Sequence, residues 1–381
     1  MTKQNRKTIV RRRNLWVAFV AFCAMLGASS VRAQDSIAPK VMDSIYQEIK
    51  TPYKYGLVMV PTDNSIKMDC PSIFRKGNRW YMVYIIYNGR GYETWLAKSK
   101  DLLNWETKGR IMSFSSDTTE WDNNQKAAYI ALQDPTWGGS YKWRKYDGKY
   151  WMSYFGGQQR GYEAGMLSLG IAYSSKNPTK VHEWNRLSAP ILRPNDPDVR
   201  WWENHTMYKS SVIPDDQKLT GHRFVMYYNA NGDSLDKKRG AERIGMAVSD
   251  DMQHWQRFRR DPVLNHNVGI TGDAYLQKMG DYWVSFYFGA FWKHTSGAFN
   301  RFAVSKDLVN WTEYGKNLVE PSEPYDEVFA HKSFVVKYKG VVYHYYCAVN
   351  KNQQRGIAVA TSVDKGKSKL SFLPYEKKKK K

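Results

Sequence analysis

The stretches AKSKDLLNW (residues 97–105), AVSDDMQHW (247–255) and AVSKDLVNW (303–311) are three copies of one phrase, and they decide the fold. In each copy a serine stands six residues before a tryptophan. A looser copy, AYSSKNPTKVHEW, fills residues 172–184, and a truncated copy, VATSVD, fills residues 359–364. Repetition at intervals of tens of residues is typical of stacked or radially arranged copies of one supersecondary unit. The sequence therefore predicts five copies of such a unit.

A second recurring unit lies upstream of this phrase and combines a polar residue, a short apolar run, a Gly-centred turn and an aromatic strand. It reads MDCPSIFRKGNRWYMVYI at residues 68–85, GDAYLQKMGDYWVSFYF at 272–288 and AHKSFVVKYKGVVYHYYCAV at 330–349. Short runs of Val, Ile, Tyr, Trp and Phe that are broken by Gly, Asn and Asp indicate strands. Because the unit is all-β, we predict a five-bladed β-propeller, in which the Ser-to-Trp phrase is a structural hairpin of each blade.

The two ends of the sequence differ from its middle. A basic start is followed by an uncharged apolar run from Leu15 to Ser30, and Val31 and Ala33 are small residues at the −3 and −1 positions of a cleavage site. This pattern predicts a signal peptide over residues 1–33, secretion or export to the periplasm, and no membrane span in the mature form. We then expect an N-terminal extension over residues 34–65, a propeller catalytic domain over 66–365 and a basic C-terminal tail over 366–381.

The net charge of +22 is concentrated at the ends, because seven basic residues of the leader and five tail lysines account for 12 of it and leave +10. Such a surface is compatible with acidic partners. The sequence contains no basic helix and no zinc pattern, so we expect no nucleic-acid partner. The two cysteines that follow the leader, Cys70 and Cys347, lie in apolar strand patterns, which favours buried free thiols over a bridge between them.

Polar residues stand at corresponding places, at the start of the innermost strand that we expect in each blade. In a propeller these strands run beside the central channel, so their first residues point into a funnel at one end of the ring. A core face would not select carboxylates there, because burying an unpaired carboxylate is costly. When carboxyl groups converge, the pKa of one rises, so that one stays protonated while another is ionised. Hydrolysis of a glycosidic bond requires such a pair. We therefore predict a central acidic funnel with these catalytic candidates: Asp69, Asp134, Glu203, Asp273 and His331.

The alternative interpretation of each acid is that it caps a loop or pairs with a nearby Arg or Lys. Tryptophans lie near the same segments, and we predict that Trp137, Trp202 and Trp292 bind substrate by stacking on the C–H faces of sugar rings. The alternative for each tryptophan is a place in the core.

Several motifs resemble those of a known enzyme family. DCPSIF (69–74) followed by GNRWYMVY (77–84), DPTW (134–137) followed by YDGKYWMSYFGG (146–157), and the SKDLxNW endings are similar to the five-bladed propeller glycosidases of glycoside hydrolase family 43. Its relatives include the arabinanases, the levansucrase and invertase group, and family 117. The resemblance covers nearly all of residues 60–365. It implies an inverting mechanism in which Asp69 is the general base, Asp134 tunes pKa values and orients groups, and Glu203 is the general acid.

The general acid stays open, because the sequence departs from the family pattern in the third blade. Family 43 typically follows its glutamate with Gly-Pro, whereas Asn204 and His205 follow Glu203 here. Family 117 relatives use a histidine as the acid with an aspartate of a later blade beside it, which points to His331 and Asp273. Glu327 is a further alternative.

The resemblance and the acidic strand starts together indicate an exported glycoside hydrolase that degrades plant or algal polysaccharides or oligosaccharides, with α-L-arabinofuranosidase-like activity as the best guess. We expect no cofactor, and a Ca²⁺ ion in the channel is left open. The fingerprints GxSxG, HExxH, P-loop and Rossmann GxGxxG do not occur in the sequence. The competing hypotheses are a non-catalytic carbohydrate-binding propeller and a propeller that is a scaffold for protein partners.

Overall fold

The computed structural model describes residues 36–233, 241–293, 295 and 297–375. Their first element is one helix, α1 (Pro39–Ile49), which is followed by the first of twenty strands, β1 (Tyr53–Met59). The strands pair antiparallel into five four-stranded units. The predicted all-β propeller fold is confirmed. The predicted signal peptide lies outside the described residues.

Four of the units, blades I to IV, are meanders of consecutive strands. Blade I contains β2 (Lys67–Lys76), β3 (Arg79–Tyr87), β4 (Tyr92–Ser99) and β5 (Trp105–Met112). Blade II contains β6 (Gln125–Ala131), β7 (Tyr150–Gly157), β8 (Ser168–Ser174) and β9 (Asn185–Arg186). Blade III contains β10 (Thr206–Pro214), β11 (Phe224–Asn231), β12 (Glu242–Ser249) and β13 (Gln256–Arg257). Blade IV contains β14 (Ile270–Met279), β15 (Tyr282–Ala290), β16 (Ala298–Ser305) and β17 (Thr312–Glu313). Aromatic and aliphatic side chains fill the spaces between blades. No helix in the described part of the protein combines the length and apolarity that a bilayer span needs.

Blade V takes strands from both ends of the described residues. It consists of β18 (Phe329–Tyr338), β19 (Val341–Val349), β20 (Arg355–Thr361) and β1, which pairs antiparallel with β20. This pairing explains why the fifth copy of the repeated phrase is truncated: its fourth strand comes from the opposite end of the sequence. The predicted boundary between an extension and a propeller at residue 66 is therefore not a structural division.

The described part of the predicted basic tail also contacts blade V. The backbone N–H of Ser368 donates to the carbonyl oxygen of Tyr55 at 2.7 Å, and Phe372 packs beside Leu57. The run Lys377–Lys381 lies outside the described residues.

The repeated Ser-to-Trp phrase forms the turn between the third and fourth strands of a blade. In the first copy the Ser99 hydroxyl accepts hydrogen bonds from the N–H groups of Asp101 and Leu102, while the Asp101 carboxylate accepts from the next turn residues. The copies at Ser249 and Ser305 make the same contacts. Each turn contains a left-handed residue: Leu102, Met252 and Leu308. The interpretation of the phrase as structure is correct.

The first strands of blades I, IV and V share a bulge near their beginnings. Their strand registers slip between Asp69 and Ser72, between Gly272 and Tyr275, and between His331 and Phe334. Inside the bulges, three residues have left-handed backbones: Cys70 (φ 51°), Asp273 (φ 59°) and Lys332 (φ 64°). A bulge re-aims side chains at the end of a strand, and all three of these residues line the same cavity.

Candidate active site

A cavity of about 290 Å³ lies at the end of the ring where the first and third strands of the blades begin. Three of its lining residues are acidic and three are basic. The acidic residues are Glu163, Glu242 and Asp273, and the basic residues are Lys209, Lys332 and Arg355. Aromatic rings form most of the remaining wall: Tyr92, Tyr129, Phe155, Tyr162, Tyr208, Phe288, Phe291 and Phe329. A concave, largely aromatic site with a few convergent charges is the usual form of a ligand-binding site.

Third strands as well as first strands contribute residues to this cavity. The first residues of β4, β12, β16 and β20 all line it: Tyr92, Glu242, Ala298 and Arg355. The reason is geometric, because the first and third strands of an antiparallel meander begin at the same end. The predicted site residues all came from the expected starts of first strands, so Glu242 and Arg355 were missed.

Glu242 has the surroundings of a proton donor. Burial raises its pKa from 4.5 to about 8, and the negative charges of Glu163 and Asp273 add to the rise. Its carboxylate accepts a hydrogen bond from the side-chain amide of Asn229 at 2.8 Å. None of the described cations forms an ion pair with it. Glu242 is therefore protonated at neutral pH, which suits a general acid.

Glu163 supplies a second carboxylate beside Glu242. It lies in the loop between β7 and β8, where its backbone is left-handed (φ 49°), and it is partly exposed. The hydroxyl of Tyr92 donates a hydrogen bond to its Oε1 at 3.4 Å. The sequence signal for this residue was weak, because it lies on a connecting loop instead of a strand start.

Asp273 is the one predicted acid that lines the cavity. It is buried, and burial raises its pKa, whereas the nearby charges of Lys209 and Lys332 oppose the rise. Lys209 is 4% exposed, and its ammonium has no hydrogen-bond partner among the described residues. The ammonium lies 5.6 Å from the centroid of the Tyr129 ring. A buried ammonium without a hydrogen bond is costly, so a ligand in the cavity would be favoured to accept one from Lys209.

Asp69 lies behind the cavity wall and anchors two of its cations. Its Oδ2 accepts from the Lys332 ammonium at 3.0 Å and from the Arg355 guanidinium at 2.6 Å. Burial alone would raise the pKa of Asp69, but the charges of Lys332 and Arg355 outweigh burial and hold the pKa well below its usual range. An ionised carboxylate bound to two cations is a weak proton acceptor, so the structure favours a positioning role for Asp69 over the predicted role of general base.

His331 lines the cavity but is neutral. Burial lowers its pKa to about 3, and the adjacent Lys332 charge contributes. Its Nδ1 lies 3.1 Å from the Cys347 carbonyl oxygen, which accepts a hydrogen bond only if Nδ1 carries the proton. Nε2 is then an unprotonated acceptor. A histidine in this state cannot donate the proton that a general acid supplies at neutral pH.

Glu203, the other predicted acid, is part of a structural ion pair. It is fully buried, and its carboxylate accepts from the Arg257 guanidinium, the Tyr228 hydroxyl and the backbone N–H of Arg200. Glu203 does not line the cavity. Its physical role is to neutralise Arg257 and to tie the segment before β10 to β13, so the expectation that it faces the funnel is wrong.

Asp134 also lies away from the cavity. The inner strand of blade II is β6, which ends at Ala131, so Asp134 follows this strand instead of beginning it. Its carboxylate accepts hydrogen bonds from Ser140 and from the N–H of Thr136, and it pairs with Arg144 at 3.3 Å. Asp134 therefore caps the turn that follows β6, and this end of β6 is opposite the end that faces the cavity.

The three predicted sugar-binding tryptophans have structural contacts instead. The Trp137 indole N–H donates to Glu48 of α1 at 2.8 Å. Trp202 is buried against Tyr228 and donates to the Arg260 carbonyl oxygen. Trp292 donates to the Ile270 carbonyl oxygen at 2.7 Å and is 7% exposed. None of the three lines the cavity, whose aromatic wall consists of tyrosine and phenylalanine.

Within the described residues, one group could bring metal ligands together: Asp69, Cys70 and Cys347, whose ligand atoms lie within 4.8 Å of one another. Both cysteines are buried free thiols, and the Cys70 N–H points at the Cys347 sulfur at 3.0 Å. Ca²⁺ takes six to eight oxygen ligands, whereas this group offers two sulfurs and a carboxylate already bound to two cations. These residues do not fit the Ca²⁺ ion that the sequence left open.

Comparison with known structures identifies the class of protein. A solved structure described as a BT0996 RGII complex is 49% identical to this chain, with a TM-score of 0.87, and the match covers 90% of this chain and 100% of that one. A second, described as a glycoside hydrolase, is 48% identical with the same TM-score and coverage. This chain is a member of the glycoside hydrolases.

More distant similarity extends to family 43. A thermostable family-43 glycoside hydrolase is 16% identical with a TM-score of 0.55, over 85% of this chain and 99% of that chain, which shows a shared fold. The predicted resemblance to propeller glycosidases and the prediction of a glycoside-hydrolysing enzyme are confirmed. No model of a protein family and no curated protein matches the sequence.

Proposed function

We propose that this glycoside hydrolase is an exo-acting enzyme that removes one terminal sugar from a plant or algal glycan. The observation that carries the proposal is the shape of the cavity. At about 290 Å³ it is at the small end of ligand pockets, which are about 300–1,000 Å³. Below it lies a separate cavity of only about 20 Å³, which shares Tyr129 and Lys209 with the larger cavity. A pocket closed at its base accepts the end of a glycan.

In this proposal Glu242 is the general acid that protonates the leaving oxygen of the glycosidic bond. Its pKa of about 8 keeps the proton available at neutral pH. Glu163 is the second carboxylate of the pair that most glycoside hydrolases use. The expectation of inversion remains a prediction, which the anomeric form of the first product tests by NMR: inversion requires a water between the sugar and the second carboxylate.

The charges around this pair would hold the sugar in place. Among the described residues, the Lys209 ammonium and the Arg355 Nε have no hydrogen-bond partner, and His331 has an unprotonated Nε2. Sugar hydroxyls both donate and accept hydrogen bonds, so they complement this mixture of donors and an acceptor. Asp69 would orient Lys332 and Arg355 and compensate part of their positive charge.

The choice of substrate rests on two kinds of support. The nearly half-identical relative is described in a complex with RGII, and the sequence resembles arabinan-degrading enzymes. We therefore propose RGII as the first glycan and an arabinofuranoside as the first terminal sugar to examine. The test is to incubate the enzyme with RGII oligosaccharide, arabinan and arabinoxylan and to identify the products. Release of one monosaccharide supports the proposal, whereas internal cleavage contradicts exo action.

We also propose that the enzyme is exported, with cleavage after Ala33. The support is the basic and apolar pattern of residues 1–33. Expression of the full-length protein in a bacterium, cell fractionation and N-terminal sequencing of the product test this proposal. A cytoplasmic product that keeps residues 1–33 would contradict it.

A further inference from the structure

A solvent-exposed phenyl ring stands at the rim of the catalytic cavity. Phe291 is 52% exposed, and it lines the cavity together with Glu163 and Glu242. Large apolar side chains at the edge of a ligand site often mark a contact surface. Neither of the catalytic carboxylates requires this ring, so its exposure needs a separate explanation.

The backbone holds Phe291 in a costly conformation. Its φ is +56°, in the left-handed region that non-glycine residues rarely adopt. Such a conformation is strained and persists only where the surroundings enforce it. Gly269 makes room for it, since a Cβ atom at this glycine would lie 2.6 Å from the Phe291 carbonyl oxygen.

The next residue, Trp292, supplies the anchor that fixes Phe291. The Trp292 indole N–H donates to the Ile270 carbonyl oxygen at 2.7 Å, and its ring stacks on His266 with 3.5 Å between the ring centroids. The Phe291 N–H donates to the Gly297 carbonyl oxygen at 3.3 Å. Trp292 therefore points inward and is buried, while Phe291 is presented to solvent at the rim.

A second ring completes a small apolar surface, which we call the rim platform: Phe291, Phe329, Ile270, Ala290 and Ala298. Phe329 meets Phe291 edge to face, with 5.7 Å between the ring centroids and 84° between the ring planes. All five residues belong to blades IV and V or to the turn that leaves β15. Glu163 and Glu242 come from blades II and III, so the rim platform and the two catalytic carboxylates belong to different blades.

We infer that the rim platform, with Phe291 at its centre, binds the sugar on the leaving-group side of the scissile bond. The inference rests on the proposed exo action. The charged part of the cavity holds the terminal sugar, and the cavity of about 20 Å³ beneath it is too small for a second sugar, so the remaining glycan leaves across the rim. Pyranose and furanose rings have C–H faces that pack on aromatic rings. The platform then contributes to recognition of the glycan beyond its terminal residue.

The test measures binding without turnover, in a Glu242→Gln background. Calorimetry compares RGII oligosaccharide with methyl α-L-arabinofuranoside, which lacks a leaving-group sugar. Phe291→Ala is expected to weaken oligosaccharide binding about tenfold, since truncating one stacked ring loses about 1.4 kcal/mol. Phe291→Tyr, which keeps the ring, should restore it. Binding of the methyl glycoside should not change in either variant.

Leu219→Ala is the matched control, because Leu219 is 39% exposed and lies in the turn between β10 and β11, at the other end of the strands. It should leave oligosaccharide binding unchanged. The inference is overturned if Phe291→Ala binds the oligosaccharide as tightly as its parent, if both ligands weaken equally, or if the parent does not bind the oligosaccharide. If the parent binds it while the wild-type enzyme does not hydrolyse it, the proposed function fails and the binding comparison still decides the role of Phe291.

Discussion

Two glutamates associated with blade III, the buried Glu203 and the partly exposed Glu242, have opposite electrostatic surroundings. Glu203 precedes β10 and receives hydrogen bonds from Arg257, Tyr228 and a backbone N–H. Glu242 begins β12, receives one from Asn229, and faces the negative charge of Glu163. A compensated carboxylate holds the structure together, whereas a carboxylate kept in a cavity beside another acid retains its proton. Burial alone does not separate a structural acid from a catalytic one; the partners do.

The largest expected effect is the loss of turnover when Glu242 is replaced by Gln. Glutamine keeps the size and the Asn229 contact but cannot give up a proton. General acid catalysis contributes about 10²–10⁴-fold, so kcat should fall by that factor on the glycan that the wild type cleaves. The measurement is steady-state kinetics, with circular dichroism to verify the fold. Wild-type kcat in this variant would remove Glu242 from the mechanism.

The matched change in Glu203 should damage stability instead of chemistry. In Glu203→Gln the buried Arg257 loses one of its three carboxylate partners, Glu203, Asp196 and Asp198. Breaking a buried ion pair costs about 3–5 kcal/mol. Because two carboxylate partners of Arg257 remain, we expect the free energy of unfolding to fall by about 3 kcal/mol, the lower end of this range. Denaturant unfolding measures it. The folded variant should keep its kcat within about twofold of wild type, and a kcat loss comparable with that of Glu242→Gln would contradict the distinction between the two residues.

The pH dependence of activity follows from the raised pKa of Glu242. The acid form is active, so activity should fall as the pH rises through about 8. Replacing Glu163 by Gln removes a neighbouring negative charge, which lowers the pKa of Glu242. The alkaline limb of kcat/KM, measured on the residual activity, should therefore move down by about one pH unit. A limb that stays in place would show that Glu163 does not act on Glu242.

A smaller effect is expected on the pH dependence of stability. The pKa of Glu242 is about 8 in the fold and 4.5 when unperturbed. Between these values the unfolded protein releases a proton that the folded protein keeps, so rising pH favours the unfolded state. The Glu242→Gln variant has no proton to release at this position, so it does not lose stability in this way. Relative to wild type it should become steadily more stable as the pH rises from 4.5 to 8, as measured by denaturant unfolding. An equal pH dependence in both proteins would place the Glu242 pKa near its ordinary value.

Much of the fold could be predicted from the repeated sequence motifs. The Ser-to-Trp phrase marks the turn between the third and fourth strands because Ser99 and Asp101 bond to nearby backbone N–H groups, a local interaction that sequence preserves. The fourth strand of blade V could not be found this way, since β1 lies before the first copy and carries no such phrase.

The site was harder to predict, because it depends on which strand ends meet. Asp273 and His331 were correctly placed at the cavity, since both lie at bulged starts of first strands. The prediction for Asp134 was wrong because its motif follows the inner strand of blade II and does not begin it. Glu242 and Glu163 were missed because one begins a third strand and the other lies on a loop, and a single sequence gives no register between blades.

The most direct test of the central claim, that Glu242 carries a proton at neutral pH, is infrared spectroscopy of its carboxyl group. Spectra of wild type minus Glu242→Gln, recorded from pH 5 to pH 10, isolate the carbonyl stretch of this protonated acid. The account predicts a band that is present at pH 7 and disappears with a midpoint near pH 8. A band that is lost by pH 6 would contradict it.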